Sequence, residues 1–384
     1  MPIYLDNAAT TRLDQSVLEA MTPYLTSEYA NASAIYAPGQ KNNLVLEDCR
    51  QRVAAQFKVA PQGIIFTSGA SESNNLIIKG VMFANQAKGK HLLISAIEHP
   101  SVLRTAQQLT AYGFEVELIP VDNKGLLDLA ALKKMLRPDT VLVSVMAVNN
   151  EIGTIQNLAA IAEIVHAAGA YFHSDIVQAI PYLDLDLPAL GIDFASLSAH
   201  KFYGPKGIGA AYLNPALKVE TLITGGEQES HHRAGTYNLP GIVGLTTALE
   251  LVYNERTAYL KKVKDLRDYF WQSLKAEIPE VVLNGDLENR SPNNLNVLFR
   301  RVEGEAILID LSEKGIFVST GSACSAHNLK SSYVLSAIGR HDEDLNSNIR
   351  FTLGRYNTRM EIDKTVEAIS QTVARLRGFT PIKK

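Results

Sequence analysis

The sequence predicts an α/β protein: a large domain with a mostly parallel seven-stranded sheet, followed by a smaller α+β carboxy-terminal domain. Three observations predict it. Between residues 60 and 215, short apolar runs alternate with helical patterns, the signature of strand–helix units. Several runs are apolar throughout, as strands covered on both faces are. After Pro240 the alternation gives way to long helices mixed with short strands.

The strands of the first part are expected at 64–67, 91–97, 115–121, 140–148, 170–175, 193–199 and 207–213. Between them lie amphipathic stretches such as LAAIAEIVHAA at 158–168, closed by Gly169 as a carboxy-terminal helix cap. The second part opens with helical spacing over 241–277, uninterrupted by proline. Short strands follow at 281–283, 295–299, 316–318 and 349–353, with helices over 304–313 and 361–377. A further helix is expected to begin near Val177.

Composition narrows the class of protein. The 384 residues carry 37 Lys and Arg against 40 Asp and Glu, a net charge of −3. That balance speaks against a dedicated nucleic-acid or anionic-membrane binder. Apolar residues make up 46 % and charged residues 20 %, which is a globular composition. Two cysteines exclude a disulfide framework and fit a reducing cytoplasm. No apolar signal segment is expected in MPIYLDNAATTR, and no run is long enough to cross a bilayer.

Ligands of open α/β sheets sit beyond the carboxyl ends of the strands, so the residues following each run matter most. The run 64–67 leads into Ser68-Gly69-Ala70-Ser71, a small turn opening a helix. Free N–H groups there, with the Ser71 hydroxyl, suit a phosphate, although a plain serine cap reads equally well. The run ending near Ala199 delivers His200 and Lys201. A lysine at that depth is costly unless its amine has a covalent or ionic task; otherwise it snorkels to the surface. Asp175 ends another run and reads either as a helix cap or as the counter-charge to a buried cation. An anion cradle, a counter-charge and an imine-forming amine are together what pyridoxal phosphate requires. Cys49 lies in an amphipathic helix and reads as core. Cys324 lies among small polar residues in STGSACSAH, where thiolate chemistry is feasible.

These motifs, in order, resemble the cysteine desulfurases of the NifS/IscS-like group, pyridoxal-phosphate enzymes of fold type I. The likeness runs through YLDNAATT, FTSGASESNN, EHPSV, VNNEIGTIQ, HSDIVQA, SLSAHKFYGPKGIG, RAGTYN, STGSACSAH, SYVLSAIG and IRFTLGRYNT. The resemblance implies that Lys201 binds the cofactor aldehyde, Asp175 pairs with the ring nitrogen and Gln178 with the ring oxygen. It implies a phosphate held by Ala70, Ser71, Ser198 and His200, with Thr236 reaching in from the partner of a homodimer. His99 is expected to stack on the ring and share in proton transfer. Asn150 and Arg350 are expected to bind the substrate carboxylate side, with Asn31 as a further candidate. Cys324 takes the place of the sulfur-accepting nucleophile, and no metal is implied. The activity implied is conversion of L-cysteine to L-alanine, sulfur passing through a Cys324 persulfide to an iron–sulfur scaffold or a tRNA-thiolating enzyme. An aminotransferase or selenocysteine lyase on the same fold would not need Cys324, and an idle relative would have lost Lys201 or Cys324. The expected division is a large domain over 15–258 and a small one from 1–14 plus 259–384.

Overall fold

The structure, a computed structural model, describes residues 2–320 and 332–379. Its strands in chain order are β1 (Ile3–Tyr4), β2 (Ile64–Thr67), β3 (His91–Ser95), β4 (Glu115–Ile119), β5 (Thr140–Ser144) and β6 (Tyr171–Asp175). They continue with β7 (Phe194–Ser198), β8 (Gly209–Leu213), β9 (Val281–Leu283), β10 (Asn294–Phe299), β11 (Ile316–Phe317) and β12 (Asn348–Thr352).

The seven-stranded sheet runs β2-β8-β7-β6-β5-β3-β4 and is parallel except for β8, which opposes both neighbours. All seven expected strands are present, most of them shorter than their apolar runs. Strands β3, β5 and β7 end at Ser95, Ser144 and Ser198, and beyond each the buried chain turns off the ladder toward one cavity. Alternate residues serve two cores. Ile65, Leu92 and Ile94 pack beneath the helices Ala70–Ala84 and Pro100–Leu109, whereas Ile64, Phe66 and Leu93 face the opposite layer.

In β12-β10-β9, an antiparallel sheet, Phe351 of the first strand stacks edge-on against Phe270 and Phe299. The helices Arg256–Glu277 and Arg359–Phe379 pack together beside it. Near the amino terminus, β1 pairs in parallel with β11, and Asp6 bridges to Thr352, so the first residues belong to the same neighbourhood as β12.

Two expectations fail locally. The helical run 241–277 is two helices, Leu239–Asn254 and Arg256–Glu277, hinged at Glu255. No proline or glycine breaks it. The first helix packs on the helices Gln15–Thr26 and Ala37–Gln56 and the second on Arg359–Phe379, so tertiary packing sets two axes. The helix expected near Val177 does not form, and residues 177–182 are turns, with Ile176, Ala179 and Ile180 buried. Their apolar side chains satisfy the core without a helical repeat.

Candidate active site

A cavity of about 640 Å³ lies at the carboxyl ends of β2, β3, β5, β6 and β7, where parallel α/β sheets place their ligands. It gathers Ala70, Ser71, His99, Asn150, Asp175, Gln178, Ser198, His200, Lys201 and Arg350 from segments up to 280 positions apart. Of the sequence candidates among the described residues, Thr236 and Asn31 stay outside it.

At the β2 end, Gly69 has φ 153°, a conformation side chains disfavour, and opens the helix Ala70–Ala84 without a side-chain cap. The strand β8 passes so close that a Cβ on Gly209 would lie 2.7 Å from the Gly69 Cα. Glycines at both positions let the turn bring the amino-terminal N–H groups of the helix up to the cavity. Ser71, Ser198, His200 and Lys206 line the same end. That donor set, with a helix amino terminus at its centre, fits a phosphate. Burial, then the charges of Lys201 and Lys206, lowers the His200 imidazole to about 4, so it is neutral at ordinary pH. Its Nδ1 lies 3.1 Å from Thr10 Oγ1.

Asp175, at the end of β6, accepts from Val177 N–H (3.0 Å) and from Asn74 Nδ2 (2.9 Å). Asn74 also donates to Ser101 Oγ (2.8 Å) and accepts from Ser196, which fixes its amide orientation. The aspartate is thus held as an acceptor-only group facing the cavity, suited to a cationic ring nitrogen. His99 caps the helix Pro100–Leu109 through its Nδ1, which accepts from Ser101 N–H (3.1 Å), so its proton sits on Nε2. Burial, with the charge of Lys201 acting alongside it and that of Asp175 against it, keeps the ring below the usual histidine range.

Lys201 follows β7, and its Nζ donates to the carbonyls of Ala8 and Ala9, both at 2.7 Å. Gln178 Nε2 donates to the same Ala8 carbonyl at 2.9 Å. Arg350 alternates with Ile349 and Phe351 along β12; those two are fully buried in the core, and the guanidinium faces the cavity. Its Nη2 pairs with Asp6 at 2.6 Å, and its Nη1 donates to the Asn150 carbonyl at 3.1 Å.

Thr236 is exposed beside a smaller cleft with Thr67, Ser68 and Gly207. Its loop carries a buried ion pair, Arg50 to Glu229 at 2.7 Å. Asn31 is exposed, and its Oδ1 accepts from Ser33 N–H at 2.9 Å. Cys324 lies outside the described residues. The chain leads toward it through Ser319, backbone-paired to Arg350 (2.6 Å and 3.2 Å), and resumes at Ser332, whose hydroxyl donates to the Glu151 carboxyl. Burial raises Glu151 to about 7, with Ser332 and Arg350 opposing. Cys49 is buried in the helix Ala37–Gln56, and burial pushes its thiol up.

Several residues of this arrangement lie inside the resembling motifs but were assigned no role from the sequence. Asn74 looked like a polar position on a helix. Glu98 is wholly buried: one carboxyl oxygen accepts from Met146 N–H, and the other has no hydrogen-bond partner among the described residues. Burial, reinforced by Asp175, holds its carboxyl well above the usual carboxylate range. Asp6, Ala8 and Ala9 form part of one turn that touches Arg350, Lys201 and Gln178 together. YLDNAATT carries the resemblance, but no spacing within it shows that these residues meet Arg350, Lys201 and Gln178.

Residues 3–365 match the family Aminotransferase class-V. A cysteine desulfurase IscS from Dictyoglomus turgidum is 44 % identical over 382 residues, all of this chain and 97 % of that relative. Among solved structures, a NifS-like protein superposes with a TM-score of 0.92 at 37 % identity, covering 98 % of this chain and all of that one. A structure described as SspA in complex with cysteine gives 0.83 at 35 % identity, over 93 % of this chain and all of that one.

Proposed function

The chain belongs to the class-V aminotransferases, as one of the cysteine desulfurases among them, and from that premise we propose how its own residues divide the work. The observation that carries the proposal is the meeting in one cavity of an anion cradle, Asp175, Lys201 and Arg350.

The donor set fits pyridoxal phosphate. Ala70, Ser71, Ser198 and His200 would hold its phosphate, Asp175 its ring nitrogen, Gln178 its ring oxygen and His99 one ring face, with Thr236 supplied by a partner subunit. When bound, the cofactor supplies an aldehyde that links to an amine and a ring that stabilises negative charge at the substrate Cα. Asp175, fixed by Asn74 and the Val177 N–H, would favour the protonated ring nitrogen. Lys201 would hold the aldehyde when no substrate is bound, and its freed amine would be the base for the Cα proton of L-cysteine. The turn carbonyls of Ala8 and Ala9 keep that amine within reach of the cavity. Arg350 and Asn150 hold the substrate carboxylate, a task suited to a guanidinium fork. His99, neutral through burial, presents its Nε2 proton to the site.

Cys324 attacks the substrate sulfur as thiolate. The C–S bond breaks with its electrons on carbon, which takes a proton to give L-alanine, and the new S–S bond leaves a persulfide on Cys324. A reductant or an acceptor protein then removes that sulfur. In support of Cys324, the described residues on either side of its segment, Ser319 and Ser332, sit against Arg350 and Glu151 beside the cavity. The acceptor in this reading is an iron–sulfur scaffold or a tRNA-thiolating enzyme. A large domain over 15–258 and a small one from 1–14 plus 259–384 belong to the same reading. In its favour, β2 to β8 fall in the first and the other five strands in the second.

The direct test is borohydride reduction of the yellow purified protein followed by peptide mass analysis. A pyridoxyl group fixed on Lys201 is the expected result. Protein that stays colourless after incubation with pyridoxal phosphate, or a label on another lysine, would overturn the assignment.

A further inference from the structure

Arg350 is nearly sealed from solvent, with 3 % of its side chain exposed, and its counter-charge is Asp6. A guanidinium has five N–H donors. Here one Nη2 hydrogen goes to the Asp6 carboxylate and one on Nη1 to the Asn150 carbonyl. The Nε has no partner among the described residues, although it is buried. A buried donor left open beside a cavity is a group awaiting a ligand acceptor.

Asp6 is itself held firmly. Its carbonyl accepts from Ala9 N–H (3.0 Å) and from the Tyr4 hydroxyl (3.0 Å), and its backbone bridges to Thr352, two residues along from Arg350. Asn7 and Ala8 tie the same turn to Thr352 again, through Nδ2 to its carbonyl and from N–H to its hydroxyl. Two and three residues after Asp6, the Ala8 and Ala9 carbonyls receive Lys201. One short turn therefore fixes both the guanidinium and the amine. An α-amino acid needs those two at a set separation, because its carboxylate and amino group share one carbon.

We propose that Asp6 is the positioning residue for Arg350, aiming its open donors at the substrate α-carboxylate and so setting the selection of amino acids over analogues that lack the charge. The proposal rests on the reading of Arg350 as the carboxylate binder. Asp6 does not touch substrate; it orients the fork and neutralises it while the site holds no ligand, since a buried guanidinium without an anion is unstable.

The test uses holoenzyme and two product-like ligands, L-alanine and its neutral amide L-alaninamide, with binding followed by calorimetry. Asp6→Ala is expected to weaken L-alanine roughly tenfold or more, as loss of a charged hydrogen bond does, and to leave L-alaninamide within about twofold. Asp6→Asn keeps an acceptor oxygen but loses the charge, and is expected to weaken L-alanine by about threefold with L-alaninamide unmoved; if Asp6→Ala does not fold, unchanged L-alanine binding in Asp6→Asn would overturn the role. Equal weakening of both ligands in either variant, or unchanged L-alanine binding in Asp6→Ala, would overturn the role of Asp6. Arg350→Ala separates the premise: it should erase the preference for L-alanine over the amide. If the preference survives in Arg350→Ala, the reading of Arg350 fails, whatever the Asp6 variants do.

Discussion

His173 is the group whose substitution should most visibly change the acid tolerance of the fold. It lies on β6, two residues before Asp175, with Nδ1 2.8 Å from Ser144 Oγ and Nε2 3.4 Å from Ser196 Oγ. Complete burial lowers its imidazole to about 3. The unfolded chain takes up that proton near pH 6.5, whereas the folded chain refuses it until near pH 3. Its contribution is therefore present above pH 6.5 and is lost steadily as pH falls below it. Between pH 7 and pH 5 the loss from this one residue is about 2 kcal/mol, at roughly 1.4 kcal/mol per proton per pH unit. His173→Gln keeps an amide between the two serines but cannot titrate. Urea unfolding of both proteins at pH 7, 6 and 5 should show the wild type losing about 2 kcal/mol more than the variant across that range. The comparison cancels the other histidines, such as His200, which remain in both. Parallel losses in the two proteins would refute the claim that this imidazole is buried uncharged.

Other substitutions probe the site itself. Lys201→Ala should abolish turnover and the covalent link to cofactor, measured by alanine release and by borohydride labelling. Asn74→Ala removes a donor to Asp175 and an acceptor from Ser196; leaving those buried groups unpaired should cost roughly 1–3 kcal/mol in unfolding assays and loosen cofactor binding seen by dialysis. Thr236→Ala should weaken cofactor retention only in dimers, so sedimentation showing a fully active monomer would contradict the shared phosphate site. Cys49→Ser should retain desulfuration, because that thiol is buried in a helix away from the cavity.

The parts of this fold that could be read from the sequence are those with periodicity. Short apolar runs, several of them continuous, marked all seven strands, and the residues at or following their ends were enough to find Ser71, Asp175, Lys201 and His200. Arg350 was readable by alternation with Ile349 and Phe351. What escaped was set by long-range contact. Asp6 and Ala8 act only because β1 pairs with β11 and Asp6 bridges to β12, more than 300 residues away. The character of Glu98 comes from its burial against Met146 and near Asp175, which the motif EHPSV does not carry. The turns at 177–182 and the hinge at Glu255 follow from which surfaces meet, information no local window contains.

The central claim is that sulfur leaves L-cysteine for Cys324. Holoenzyme incubated with L-cysteine and a reductant should release alanine and sulfide in equal amounts. Without reductant, the peptide containing Cys324 should gain about 32 Da, the mass of one sulfur atom carried as persulfide. Cys324→Ser should bind cofactor and still change colour with L-cysteine, yet release almost no alanine or sulfide. Near-normal desulfuration by Cys324→Ser, or added sulfur found only on Cys49, would contradict the account.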